Sequence, residues 1–443
     1  MQMTSSGPGG IPAPAPVDAA ERIDSLDVLR GVAVLGILMM NIVAMGLPFA
    51  AYANPTAKGG DAGLNIGIWF FNAVLFDGKM RAIFSMLFGA GIVLMTDRAR
   101  AKGITTALAG VHYRRNLWLA LFGLVHAYIL LWPGDILYGY GLCGMLLYRF
   151  RGTSAKRLII AGVCVLAFLT PIRLANLWHM GNLLGMEVAA AARAAEGMTP
   201  TEEQVAAREG LDMQRTFFSP TKEQVQEEID TLRSGYFPIF RRQAGISIIL
   251  QTAVFLGFLI WDVVGMMLLG MGMMKLGLFS AARRGRFYVG MMAIGYGIGL
   301  PLTIAIARSL VASGFDLLHY NRLLTLSDVN RFSMAIGHIG AVMLICRSGV
   351  LPWLRARLAA VGRMALTNYI GQSIMGGLVF YGVGLGLYGH LQRYQLYFVV
   401  LGIWMLQVTV SPIWLRRFRF GPLEWLWRSL TYKARQPMRI ARS

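Results

Sequence analysis

The sequence predicts an all-α fold, a polytopic membrane helical bundle of about ten transmembrane helices with additional interfacial helices. Three observations carry this. Of 443 residues, 56% are hydrophobic and only 14% charged, against roughly 25% charged in a soluble domain, and mean hydropathy is +0.54. Apolar runs near the ~20 residues that cross a bilayer as a helix recur along most of the chain. The net charge of +20 collects in short loops beside those runs. That is the pattern of the inner loops of membrane proteins, not of a nucleic-acid-binding surface.

In chain order, residues 1–20 are rich in Gly, Pro, Ala and Ser and read as a flexible tail, without the basic start of a secretory signal. Runs at about 28–48, 82–98, 115–132, 135–150, 157–177, 286–311, 331–347, 364–388 and 394–414 read as spans. The stretch 244–279, interrupted by Trp261-Asp262, reads as an interfacial or tilted helix over 244–260 leading into one span near 262–279. A single crossing there keeps the basic loops 98–115, 149–157, 283–286, 347–363 and 416–442 on one side, the inside, with both termini. The chain then divides into the tail 1–20, an N-terminal membrane half 21–177, an outer helical insert 178–243, a C-terminal membrane half 244–419 and a basic tail 420–443. The aromatic segment 64–77 suits an interfacial helix between the first two spans. Within the insert, Thr201 and Ser219 are candidate N-caps, each followed by acids or amides.

There is no phosphate-binding glycine loop, nucleophile elbow or zinc spacing, and Cys143, Cys164 and Cys346 lie in apolar runs. No metal is expected. Ionisable groups inside apolar runs are expensive, so they mark candidate sites. The segment 123–141, "GLVHAYILLWPGDILYGYG", places His126 nine residues before Asp135 across a Pro-Gly turn. Two continuing helices would leave them roughly 10 Å apart along the axis. One reading is a dyad in which Asp135 orients a catalytic His126; the other is a satisfied core histidine with Asp135 capping the next span. Lys79 and Arg81 cluster just before the second span, as an anion clamp or as snorkelling interface residues. Arg30, three residues after Asp27, and the deeper Asn41 join the candidate binding set. So do Asn368, Tyr369 and Gln372, which lie about one turn apart and suit either a polar helix interface or an inner entrance.

Five segments together carry a resemblance: "SLDVLRGVAVLGILMMNI", "DGKMRAIFSMLFGAGI", "GLVHAYILLWPGDILYGYG", "GRMALTNYIGQS" and "FGPLEWLWRSLTY". In this order the chain resembles the YeiB-like family of bacterial inner-membrane proteins, which carry a domain of unknown function in the C-terminal half. That family is similar to transmembrane acyltransferases that move an acyl group from a cytoplasmic donor such as acetyl-CoA, using a membrane-embedded histidine. The histidine that those enzymes carry before the second span has no counterpart here; Lys79 and Arg81 stand in that region, and His126 is the nearest substitute.

The resemblance implies an acyltransferase with His126 as general base or acyl carrier, oriented by Asp135. Lys79 and Arg81 would hold the donor phosphate or the oxyanion, and Asn368, Tyr369 and Gln372 would line the inner entrance. The alternative is a transporter or a lipid- or anion-binding membrane protein that makes no bond; a purely structural factor explains the charged groups least. The expected partners are membrane lipids and a small-molecule donor (acetyl-CoA or another acyl-CoA) and acceptor, with no nucleic acid and with a homodimer admissible. The expected location is the bacterial inner membrane, with both termini cytoplasmic.

Overall fold

The computed structural model describes residues 23–103 and 108–440; the predicted tail at 1–20 lies outside them. Among the described residues there are helices and no β-strand. Seven helical stretches are long and apolar enough to cross a membrane: Asp24–Gly46, Gly63–Ala101, Ala155–Ala195, Tyr236–Lys275, Gly285–Ala312, Ser327–Ser348 and Arg393–Arg417. This is an all-α membrane bundle. The other three predicted spans fall on helices that are short or broken.

The helices in order are α1 (Asp24–Gly46), α2 (Gly63–Leu75), α3 (Lys79–Ala101), α4 (Leu108–Leu124), α5 (Leu137–Leu147), α6 (Ala155–Ala167) and α7 (Leu169–Ala195). The insert supplies α8 (Glu202–Phe218) and α9 (Lys222–Leu232). Then follow α10 (Tyr236–Ile249), α11 (Ile260–Lys275), α12 (Gly285–Ala312), α13 (Leu317–Leu324), α14 (Ser327–Ser348), α15 (Pro352–Arg363), α16 (Ala365–Phe380), α17 (Arg393–Arg417) and α18 (Pro422–Tyr432).

The structure corrects several boundaries. The stretch 244–260 is not a separate interfacial helix: α10 and α11 are joined by π-helical turns over Leu250–Leu259 into one continuous rod. Trp261-Asp262 does not interrupt it, because Asp262 finds buried partners and stays in the helix. The predicted span 364–388 is shorter, α16 ending at Phe380. The basic segment before it, 347–363, is not all loop: Pro352–Arg363 forms the separate helix α15, although Arg355, Arg357 and Arg363 interrupt its apolar run. In the insert, Thr201 does cap α8 through a reciprocal box with Gln204, but the second cap is Thr221, paired with Gln224. Ser219 ends α8 instead.

Buried along most of its length, α1 packs on α3, α14, α15, α16 and α17. Small residues permit this. A Cβ on Gly31 would lie 2.1 Å from the Leu358 carbonyl oxygen, and one on Gly362 would lie 1.9 Å from that of Asp27. The two backbones therefore touch, as small residues allow between membrane helices. Apolar side chains such as Ile294 on α12 and Met405 on α17 point outward, 65% and 67% exposed, as lipid-facing positions must.

Candidate functional site

The segment that joins α4 to α5 forms the centre of the molecule. After Leu124 the helix widens into a π-turn over Val125–Ile129. The chain then reverses: Trp132 N donates to the His126 carbonyl oxygen at 3.1 Å, and Leu131 takes a left-handed φ of 60°. This early reversal brings together residues that two continuing helices would hold a turn or more apart. His126 Nδ1 lies 2.8 Å from Asp135 Oδ1, and both side chains are fully buried. Asp135 Oδ2 accepts from Tyr138 N at 2.8 Å, so one carboxylate both holds the imidazole and caps α5. Gly123 makes room: a Cβ there would lie 2.5 Å from Asp135 Oδ2 and 2.3 Å from Tyr138 N. With Nδ1–H donated to the carboxylate, Nε2 carries the lone pair. It is buried and makes no hydrogen bond. The ring meets Tyr369 edge to face at 5.1 Å.

Two cavities lie on either side of this dyad, stacked along α1 and α3. The first, about 510 Å³, faces the insert and is lined by Asn41, Lys79, Arg81 and Asp135, with Glu228 and Leu232 of α9 at its roof. One wall is a chain of charges. Arg81 Nη1 pairs with Asp262 Oδ2 at 2.9 Å. Arg331 binds both oxygens of Asp262, at 2.5 and 3.2 Å, and also binds Asp328. Arg173 donates to Asp328 at 3.2 Å and to the Leu324 carbonyl and Ser327 hydroxyl. Such a network costs a great deal to desolvate, and it persists because every carboxylate has a guanidinium.

The second cavity, about 500 Å³, lies on the face that carries the described ends of the chain, from Ile23 to Tyr432. Its lining holds seven basic side chains (Arg30, Arg98, Lys102, Arg115, Arg363, Arg419, Arg428) against two acids, Asp27 and Glu424. Asp27 pairs with Arg30 at 2.6 Å. Glu424 has a structural task. The helix pair α15–α16 breaks at Met364, which leaves α16 with amides to satisfy. Glu424 Oε1 accepts from Leu366 N at 2.7 Å and Thr367 N at 3.0 Å, while Oε2 accepts the Thr367 hydroxyl at 2.6 Å. Arg115 lies over the Trp427 ring at 4.6 Å, and so ties α4 to α18.

Tyr140 lines both cavities. Its hydroxyl bonds Ser85 at 2.5 Å and donates to the Arg81 carbonyl oxygen at 3.3 Å. Tyr369 lines the basic cavity, and its hydroxyl accepts from Ile136 N at 3.3 Å, in the turn that lines the other. The septum between the cavities is therefore Tyr140, with Asp135 facing the first cavity, Tyr369 facing the second, and His126, which lines neither, held between those two side chains.

Against the sequence expectations, Asn41, Lys79, Arg81 and Asp135 do share one cavity. His126 does not line it; the residue stands behind Asp135, sealed by Tyr369. Lys79 is not open to a ligand. It is 2% exposed and donates to the Ala73 carbonyl oxygen at 2.5 Å, at the end of α2. Arg30 and Tyr369 line the other cavity. Asn368 and Gln372 do not line the entrance. Asn368 donates to the Val361 carbonyl oxygen and Ser411, and Gln372 to Gln407 and the Val34 carbonyl oxygen; they fasten α16 to its neighbours, as amides between membrane helices do. Arg173, Asp328 and Arg331 escaped the sequence reading. The i, i+3 pair Asp328/Arg331 at the edge of an apolar run is a sequence signal for the latter two.

Fold and site together define a multi-pass helical membrane protein with two cavities that share Tyr140, beside a buried His–Asp pair. The chain belongs to the YeiB family. It is 32% identical to the uncharacterized protein YeiB of Escherichia coli (strain K12) over 429 residues, 94% of this chain and 98% of that relative. It is also similar to the uncharacterized protein YxaH of Bacillus subtilis (strain 168), 28% identical over 94% of this chain and 96% of the relative. An uncharacterized 39.9 kDa protein in the amylase 3' region of Bacillus acidopullulyticus is 25% identical over 96% of this chain and 97% of its own length. Residues 273–434 match the family described as a protein of unknown function, DUF418. No solved structure matches the chain.

Proposed function

We propose that this protein is a membrane acyltransferase that moves an acyl group from a CoA-type donor in the basic cavity to an acceptor in the insert-side cavity. The observation that carries the reading is the septum. A buried imidazole, oriented by a carboxylate, has its second nitrogen unpartnered; the carboxylate that holds it lines one chamber, and the Tyr369 ring packed against it lines the other. Acid–base or covalent catalysis across a membrane needs this arrangement. The basic lining suits the phosphates of a CoA donor, which moves that role from Lys79 and Arg81 to the group around Arg30, Arg115 and Arg419. By the positive-inside rule, the basic face is cytoplasmic and the membrane is the bacterial inner membrane.

In the reaction, Nε2 of His126 takes the proton of the acceptor hydroxyl or amine as the acceptor attacks the thioester carbonyl. The bond to acceptor oxygen or nitrogen forms and the carbon–sulfur bond breaks. The proton passes from His126 to the departing thiolate, which gives acylated acceptor and free thiol. Asp135 holds the ring through Nδ1 and stabilises the imidazolium. Tyr369 covers the ring at rest, so its side chain has to turn away for each cycle. A transporter uses the same two chambers without consuming a donor, and this separates the two readings.

The test is purified protein with labelled acetyl-CoA, with donor binding and donor consumption followed separately. The acyltransferase reading expects consumption by the wild type. His126→Ala should abolish it while leaving donor binding within about tenfold, because the histidine acts on the transition state. Arg419→Gln should weaken binding of the donor. Absence of any donor binding by the wild type would overturn the reading; binding without consumption, with an acceptor extract present, favours the transporter.

A further inference from the structure

We infer that the insert-side cavity is an anion site that takes a phosphate group carried by a molecule with an apolar body. Three guanidiniums from three helices, Arg81 of α3, Arg173 of α7 and Arg331 of α14, line one wall. They are held side by side because Arg81 and Arg331 share Asp262, and Arg331 and Arg173 share Asp328. These two carboxylates do not reach the lining; they join the arginines from behind. The three arginines outnumber the two carboxylates that join them, while Lys79 and Asp77 also line the cavity; a ligand anion suits the excess of guanidiniums on this wall.

The carboxylates that do reach the lining are Asp77, Asp135 and Glu228. Two are already occupied. Asp135 accepts from His126 and Tyr138, and Glu228 from Phe49 N and the Tyr388 hydroxyl, besides pairing with Arg242. Asp77 accepts the Tyr52 hydroxyl at 3.0 Å. On the basic side, Arg81 makes one ion pair, to Asp262, and its side chain keeps 24% of its surface exposed.

A guanidinium offers five N–H donors in a rigid fork, and one fork satisfies a flat carboxylate. Arg173 and Arg331 spend their terminal nitrogens on the groups behind them and lend the wall their charge, while Arg81, with one ion pair, keeps donors for the tetrahedral oxygens of a phosphate. Much of the remaining lining is apolar, with Ile37, Met40, Trp69, Phe255, Leu259 and Leu310, beside polar groups such as Asn41 and Gln251. Head and body are thus provided for separately. This deepens the acyl-transfer reading, and rests on it only in calling the ligand an acceptor.

The test is equilibrium binding to the full chain in an uncharged detergent, with no acyl donor present. The probes are short-chain phosphatidic acid, inorganic phosphate and short-chain diacylglycerol. Phosphatidic acid should bind saturably and diacylglycerol at least about tenfold more weakly, because charge-assisted hydrogen bonds are lost. Arg81→Gln should weaken phosphatidic acid by about tenfold, and Asp77→Asn, which removes a negative charge from the lining, should tighten it several-fold. Asp77→Asn alters a single hydrogen bond to Tyr52, so the sign of its effect decides the matter even if Arg81→Gln does not fold. A preference of tenfold or more for phosphatidic acid over inorganic phosphate identifies a phosphate-headed lipid. Equal affinity identifies a free phosphate at the same arginines, and supports the site. No saturable binding of either phosphate probe, or binding unchanged by both substitutions, overturns it. Because no donor is present, the binding result stands apart from acyl transfer: intact acetyl-CoA in the separate transfer assay, beside saturable phosphate binding here, would overturn the acyl-transfer reading alone.

Discussion

The two cavities have nearly the same volume, about 510 and 500 Å³, and opposite electrical construction. On the insert side, arginines and aspartates interlock into one buried chain, and the surplus is a single charge. On the other side, seven basic groups face two acids, of which Glu424 is committed to helix α16. The first cavity is pre-organised: its charges are fixed by one another before any ligand arrives. The second presents more basic than acidic side chains to its lumen, and on the acyl-transfer proposal that lining meets the phosphates of the donor. Equal volume, then, does not mean equal role.

The sharpest way to break the comparison is the septum. Asp135→Asn should lower turnover on the order of 10²–10⁴-fold while donor binding in the basic cavity, which Asp135 does not line, stays within a few-fold, because the carboxylate orients the base. Steady-state rates and binding isotherms on one preparation check this. The next effect concerns stability. Asp262→Ala leaves Arg81 and Arg331 buried without their shared partner and should cost about 3–5 kcal/mol. The corresponding change in the basic cavity, Asp27→Ala, strips the partner from Arg30, whose side chain is 28% exposed, and should cost under about 1 kcal/mol. Thermal melts of the two variants side by side measure the contrast; equal shifts would erase the distinction between the cavities. A third, smaller effect tests the correction made to Gln372. Gln372→Leu should cost about 1 kcal/mol through the lost bond to Gln407 and leave donor affinity unchanged in the same isotherm. The smallest is Thr201→Ala on α8, which removes a capping box worth about 1 kcal/mol. Hydrogen exchange should speed at the Gln204 amide and nowhere near either cavity.

The bundle was legible because the cost of burying backbone and charge in lipid imposes long apolar runs, and those runs are visible in any one chain. The hairpin was half legible. "HAYILLWPGD" shows a histidine, an acid and a turn, but regular helices place the two a turn or more apart. The π-turn at Val125–Ile129, the left-handed Leu131 and the clearance at Gly123 bring them to 2.8 Å, and none of these leaves a mark in composition. Asn368 and Gln372 were legible as polar and not as placed, since a cavity and a helix interface ask for the same residue types. Arg173 was hidden for another reason. Its partners, Asp328 and Ser327, lie about 150 residues away, and a single sequence does not record which distant residues meet.

The cap that Glu424 places on α16 also sets an order of events in time. Every membrane helix from α1 to α17 precedes α18 in synthesis. Until α18 arrives, the amides of Leu366 and Thr367 stand at a helix break beside apolar neighbours with no acceptor, a state that costs several kcal/mol in a dry setting. The same arrival brings Trp427 under Arg115 and adds a wall to the basic cavity. A nascent chain can thus insert its spans and still hold an unfinished chamber. Docking of α18 closes the break at Met364 and completes the wall of the basic cavity in one step.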